Sequence, residues 1–257
     1  MQNNIFSGLY IGQNLIVLDQ VASTNDYLKN LLSNIKPLPE GSAIMATHQT
    51  QGRGQRGNSW LTRPGENLTL SYLLYPTCLP LHQQFYLNIA TCLGIHSFLT
   101  TILPKVYIKW PNDIYVENKK IAGVLIENQV QQQHLKSSII GIGININLDI
   151  VPSELEAKVT SLKQLCPQVD SYELPALAEQ LFKHLSYYYD QLKKGDLTQL
   201  HFSYNENLFR KDSMHTYIID DVEVPGKAVF VDKNGRLNVD FGKKTLAFGL
   251  HEISYKI

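Results

Sequence analysis

The sequence predicts an α+β chain: a body of strands and helices over residues 1–208, then a small β-barrel over residues 209–257. Two observations carry this. Up to Leu208, strand-like runs alternate with stretches whose apolar residues recur every three or four positions. From about Arg210 the pattern shortens to strand-length pieces separated by turns. One turn, Asp-Lys-Asn-Gly at Asp232–Gly235, is a strong hairpin signal. A run of short strands of this kind closes most readily as a barrel.

In order, Leu15 to Leu18 reads as a buried strand. Ser23 or Thr24 then caps a helix whose period is set by Tyr27, Leu28, Leu31 and Leu32. Pro37, Pro39 and Gly41 end it and lead into a strand at Ala43 to Ala46. Leu68 to Tyr75 is a strand with Leu68, Leu70 and Tyr72 on one face and Thr69 and Ser71 on the other. Phe85, Ile89, Leu93 and His96 give a long core-facing helix. Val106 to Lys109 begins a strand that Pro111 interrupts, because proline has no N–H for a ladder. A hairpin follows, turning at Glu117-Asn118-Lys119 into a strand from Ile121 to Val130. In Ile139 to Leu148, isoleucines alternate with Gly141, Gly143, Asn145 and Asn147, so one face is core and the other resembles the floor of a pocket. Val151 to Cys166 reads as short helical pieces, Glu173 to Lys194 as a long helix and Leu197 to Leu208 as another. Strands are expected at Tyr217–Ile219, Val222–Val224, Gly226–Val231, Arg236–Phe241 and Thr245–Phe248.

Composition sets bounds. At 44% hydrophobic and 18% charged residues, a 257-residue chain can bury a large core. Twenty-three basic and twenty-three acidic residues cancel, which disfavours a nucleic-acid partner held by net charge. The three cysteines, Cys78, Cys92 and Cys166, have no metal-ligand spacing and fit a reducing compartment. No signal peptide and no membrane span is read, so a cytoplasmic protein without a membrane partner is expected.

The chemistry concentrates in Gln49 to Trp60, Gln-Thr-Gln-Gly-Arg-Gly-Gln-Arg-Gly-Asn-Ser-Trp. Gly52, Gly54 and Gly57 allow close backbone approach, and successive N–H groups in such loops form anion-binding nests. Arg53 and Arg56 add charge and forked donors. A flexible linker is the plainer reading of a Gly/Arg stretch, but strand-like residues flank this one on both sides. Lys109-Trp110-Pro111-Asn112-Asp113 adds a polar cluster at a strand interruption. Lys120 opens the next strand, and Gly123 within it suggests close approach of another group.

Together and in this order, Ser23-Thr24-Asn25, Gln49 through Trp60, Lys109 to Asp113, Lys120 to Gly123, Gly141 to Asn147 and Phe248 to Ser254 resemble the biotin protein ligases, in a short form without an N-terminal DNA-binding domain. The resemblance covers nearly the whole chain. It implies a mixed, mostly antiparallel sheet packed with helices, plus the terminal barrel. It implies two steps: biotin and MgATP give biotinyl-adenylate, and a lysine of a biotin carboxyl carrier protein attacks it. By resemblance, Lys120 and Arg53 are the catalytic residues. Ser23, Thr24, Asn25, Gln49, Gly52, Arg53, Gly54, Gln55, Lys120 and Gly123 bind biotin. Arg56, Trp60, Asn112, Lys120 and Asn145 lie at the nucleotide. Mg²⁺ is expected on phosphates and waters, with no protein ligand assigned.

Two departures stand out. The family loop most often has arginine where Gln55 and Asn58 stand here, so the loop's charge is expected to be relocated to Arg56. No room is read for an N-terminal winged helix, so no DNA partner is expected. Oligomeric state is left open, with a homodimer compatible. The alternatives are a lipoate–protein ligase, which shares adenylate chemistry, and a non-catalytic RNA-binding module, which the neutral charge disfavours.

Overall fold

Among the described residues eight strands form the main sheet, and one helix covers only part of its site-bearing face. The computed structural model describes residues 2–4, 11–35, 37–151, 153 and 155–256; of Gln2–Asn4 and Arg56 it describes the backbone alone. In chain order the elements are β1 (Gln2–Asn4), β2 (Leu15–Val21), α1 (Thr24–Asn34), β3 (Ala43–Gln49), β4 (Asn67–Leu74), α2 (Phe85–Leu99), β5 (Val106–Lys109), β6 (Asp113–Val116), β7 (Lys119–Gln131) and β8 (His134–Asn145). Then come α3 (Leu162–Leu165), α4 (Leu174–Lys193), α5 (Leu197–Glu206), β9 (Met214–Ile219), β10 (Val222–Val231), β11 (Leu237–Asp240), β12 (Thr245–Phe248) and β13 (Ser254–Tyr255).

The main sheet runs β1-β2-β3-β4-β8-β7-β6-β5. Among the described residues only β2 and β3 pair in parallel, as a strand–helix–strand unit around α1 requires. The mixed, mostly antiparallel sheet is therefore present. On one face, α2, α4 and α5 bury Leu68, Leu70, Tyr72, Ile140, Ile142 and Ile144 in one large core. Gly94 lets α2 meet α4 closely, since a Cβ there would lie 2.8 Å from Leu185 Cδ2.

On the other face, α1 packs Leu28 against Ile44, Leu73 and Ile139 over β3, β4 and β8. Ile139 thus departs from the expected isoleucine face. Ser23 caps α1, its side chain accepting from Asp26 N at 3.4 Å. The rest of this face, toward β7, β6 and β5, is left to the site.

The C-terminal sheet is five-stranded and antiparallel, in the order β12-β11-β10-β9-β13. The small all-β unit expected as a barrel is present as this sheet, with β12 and β13 at its ends and β13 a strand beyond those expected. Val222 to Val231 is a single strand, because Pro225 and Gly226 both stay in register with β9. The sheet is joined to the body by Phe209 N donating to Ile108 O at 2.9 Å and Trp110 Nε1 donating to Gly235 O at 2.9 Å. Tyr217, Val231 and Leu237 share the main core. Residues 151–166 differ from expectation: among those described only Leu162–Leu165 is helical. Their backbone instead clamps Lys120, through Lys120 N to Lys158 O at 2.8 Å and Thr160 N to Lys120 O at 2.9 Å. No described helix is long and apolar enough to cross a membrane.

Candidate active site

Two adjoining cavities open on the uncovered face. The first, about 560 Å³, spreads across the strands from Gln49 on β3 to Lys109 on β5. The second, about 430 Å³, runs beside it between Asn67, Asn145 and the wall of Leu148, Val151, Leu155 and Val159. Ser59, Trp60 and Lys120 line both. Volumes of this size suit small ligands.

At the β3 end the cavity is buried and polar. Thr24 N and Oγ1 both donate to Gln49 Oε1, at 2.7 and 3.0 Å. The Ser71 hydroxyl lies 2.7 Å from Thr24 Oγ1 and 2.6 Å from Asn25 Oδ1. It has one proton, so one of these acceptors stays open. Asn25 Nδ2 donates to Glu127 Oε2 at 2.8 Å. Ser23, Thr24 and Asn25 sit at the start of α1, where the positive end of the helix dipole favours polar or anionic ligand groups.

The floor is bare where larger groups must lie. A Cβ on Gly141 would meet Asn25 Oδ1 at 2.3 Å, and one on Gly143 would meet Trp60 Cε2 at 2.3 Å. Glycine is required at both, which explains the small-residue face of β8. At Gly123 a Cβ would lie 3.0 Å from Lys120 Nζ and 3.3 Å from Asp113 Oδ1. The missing side chain there seats the Lys120–Asp113 pair, 2.7 Å apart. Lys120 Nζ also lies 5.4 Å from the Trp60 ring centroid, a cation–π contact at the junction of the cavities.

The Gly/Arg loop is pinned at its base. Trp60 N donates to Gly52 O at 2.8 Å, and Gly54 N to Asn58 O at 2.7 Å. Arg53 Nη2 reaches Asp26 Oδ1 at 2.7 Å and Glu127 Oε2 at 2.8 Å. Gly54 and Gln55 line the first cavity. Gly52, expected at the ligand, does not. Its Cβ position is taken by Trp60 O at 2.3 Å, so this glycine serves a crossing of two backbone segments. The Arg56 side chain, expected at the nucleotide, lies outside the described residues.

Asn112 and Asn145, expected together at a nucleotide, fall in different cavities. Asn112 lines the first and donates to Val124 O; Asn145 lines the second, donating to Thr160 O and accepting from Asn67 Nδ2, both at 3.0 Å. Sequence reasoning assigned no role to Ser71, Asp26 or Glu127, and no individual role to Lys109 or the segment Leu250 to Tyr255, all at or beside the site. Asp113 and Lys109 were both read as part of the polar cluster at the strand interruption, and Leu250 to Ser254 as part of the terminal matching stretch. Ser71, Asp26 and Glu127 meet the site only through the fold. Among the described residues no group of three or more His, Cys, Asp or Glu can hold a metal ion.

Residues 17–145 match the biotin/lipoate A/B protein ligase family. The bifunctional ligase/repressor BirA of Bacillus spizizenii is 36% identical over 157 residues, 60% of this chain and 47% of that one. The chain spans about half the length of that relative. The biotin–[acetyl-CoA-carboxylase] ligase of Mycobacterium tuberculosis is 26% identical over 92% of this chain and 88% of its own. The biotin protein ligase of Aquifex aeolicus, solved in complex with biotin and ATP, matches with a TM-score of 0.79 and 26% identity, over 95% of this chain and 99% of that one.

Proposed function

The chain belongs to the biotin/lipoate A/B protein ligase family, and from that premise we propose that it attaches biotin to a lysine of a biotin carboxyl carrier protein through biotinyl-5′-AMP. The observation that carries the proposal is Lys120. It is the cation at the junction of a cavity with a buried polar end and a second cavity with an apolar wall.

Biotin has a ureido head, an apolar body and a carboxylate tail. The polar end formed by Thr24, Asn25, Gln49 and Ser71 suits the head, with both donors and an open acceptor. The indole of Trp60 and the bare strand at Gly141 and Gly143 suit the body. The tail then reaches Lys120, while the adenosine of ATP takes the second cavity at Asn145. A carboxylate and an α-phosphate repel each other. An ammonium between them favours their approach and the charge that develops in the transition state. The Gly/Arg loop excludes water from the anhydride. Mg²⁺ belongs on the phosphates in this reading, because Asp113, the carboxylate nearest Lys120, is already paired. Residues 209–257 act as a second unit whose segment from Leu250 to Tyr255 closes one side of the cavity. DNA binding is not part of the proposal. A cytoplasmic setting agrees with three free cysteines.

The test is mass spectrometry of a biotin-acceptor domain incubated with this protein, biotin and MgATP. A mass increase of one amide-linked biotin is expected; an unmodified acceptor refutes the proposal. Substituting lipoate for biotin in ATP–pyrophosphate exchange separates the two chemistries of the family, and exchange is expected with biotin.

A further inference from the structure

Every cation whose side chain is described in the first cavity is matched by a carboxylate except Lys109. Arg53 has Asp26 and Glu127, and Lys120 has Asp113. Among the described residues no carboxylate lies within 4 Å of Lys109 Nζ. The ammonium is held instead 5.2 Å from the ring centroids of both Tyr115 and Tyr255. Tyr255 comes from the C-terminal sheet, so the seat is built by both parts of the chain. One carboxylate, Asp113, faces two lysines across β5, β6 and β7, with Lys109 directly opposite it in register. The cavity thus carries an unmatched positive charge at its β5 end. Burial above all pulls the Lys109 ammonium below the ordinary lysine range; Asp113 opposes this, and Lys120 and Arg210 add to it. An unmatched, partly desolvated ammonium is stabilised by an anion.

Position says which anion. The strand order β3-β4-β8-β7-β6-β5 puts the polar end and Lys109 at opposite sides of the cavity, five strand spacings or about 24 Å apart, with Lys120 on β7 between them. The second cavity leaves sideways at Trp60 and Lys120. In phosphoryl transfer, attacking and leaving oxygens lie roughly in line. A carboxylate arriving from the β3 side therefore expels its leaving group toward β5. We propose that Lys109, seated between Tyr115 and Tyr255, binds the pyrophosphate leaving group of the adenylation step. A biotin carboxylate oxygen bonds to the α-phosphorus, the bond from that phosphorus to the bridging oxygen breaks, and its electron pair leaves with pyrophosphate beside Lys109. No proton need move.

This inference rests on the ligase reading, and its test keeps the two apart. Biotin-dependent ATP–pyrophosphate exchange is measured for the wild type, Lys109→Gln and Lys109→Arg, with transfer from preformed biotinyl-adenylate to an acceptor domain as a second readout. Lys109→Gln is expected to raise the KM for pyrophosphate at least tenfold, leave the KM for biotin within twofold and leave transfer within twofold. Lys109→Arg is expected to recover most of the loss, which a folding defect would not show as a pyrophosphate-specific effect. An unchanged KM for pyrophosphate in Lys109→Gln, or an equal loss in transfer, overturns the role of Lys109 alone. Wild-type protein without biotin-dependent exchange overturns the ligase reading beneath it.

Discussion

The two ends of the Gln49-to-Arg53 stretch are built differently. At Gln49 the side chain is buried and bonded to buried partners, Thr24 with Ser71 behind it. Four residues on, Arg53 reaches its carboxylates from the surface, with 40% of its side chain exposed and 47% of Asp26. A buried polar group left without its partner costs roughly 1–3 kcal/mol, whereas an exposed ion pair is worth about 0.2–1 kcal/mol. The first end is fixed by the fold before any ligand arrives. The second can let go of Asp26 and Glu127 and turn to a ligand at little cost. One short stretch thus combines a rigid recognition surface with a releasable arm.

The contrast can be broken at several points. The largest effect is expected from Lys120→Ala, which removes the cation at the junction. Biotin-dependent pyrophosphate exchange should fall on the order of 10²–10³-fold; an undiminished rate removes Lys120 from the chemistry. Gly143→Val comes next. Its side chain would occupy the space of the Trp60 ring, and overpacking of this kind costs about 1–3 kcal/mol. Calorimetry should show biotin binding weakened by roughly 10- to 100-fold, and tight binding in this variant would show that biotin does not use the floor. Gln49→Ala strips Thr24 of its acceptor. Both the biotin binding free energy and the unfolding free energy from denaturant titration should drop, each by about 1–3 kcal/mol; a loss in affinity with no loss in stability would mean the network is not prebuilt. The smallest effect belongs to Asp26→Asn, expected to change stability by less than about 1 kcal/mol and to lose that difference at high salt. A larger, salt-insensitive loss would show that the arm is fixed after all.

Much of this was legible in the chain itself. The alternation in β8, the Ser23 cap and the hairpin at Asp232–Gly235 follow from period and turn chemistry, which are local. The Gly/Arg loop and Lys120 were visible as unusual residue groupings. What was not legible depends on contacts between distant residues. Glu127 holds Asn25 and Arg53 across 102 and 74 positions, respectively. Ser71 looked like an outward residue of an amphipathic strand, yet all of β4 is buried because α1 covers the second face. Gly52 looked like a ligand glycine, and only the crossing of Trp60 shows that it yields to backbone. Pro225 suggested a break that its place in the β9 register does not make.

Trp60 has one further consequence. The chain has two tryptophans. Trp110 is 4% exposed and hydrogen-bonded through Nε1 to Gly235, inside the joint between the two parts of the chain. Trp60 is the wall shared by both cavities, and its buried Nε1 has no hydrogen-bond partner among the described residues. A ligand in either cavity changes the polarity and polarisability around this indole, whereas Trp110 lines the first cavity alone. The molecule therefore carries a built-in optical reporter: a shift in its emission on titration reads occupancy of the site directly, and the Trp60→Phe protein supplies the blank.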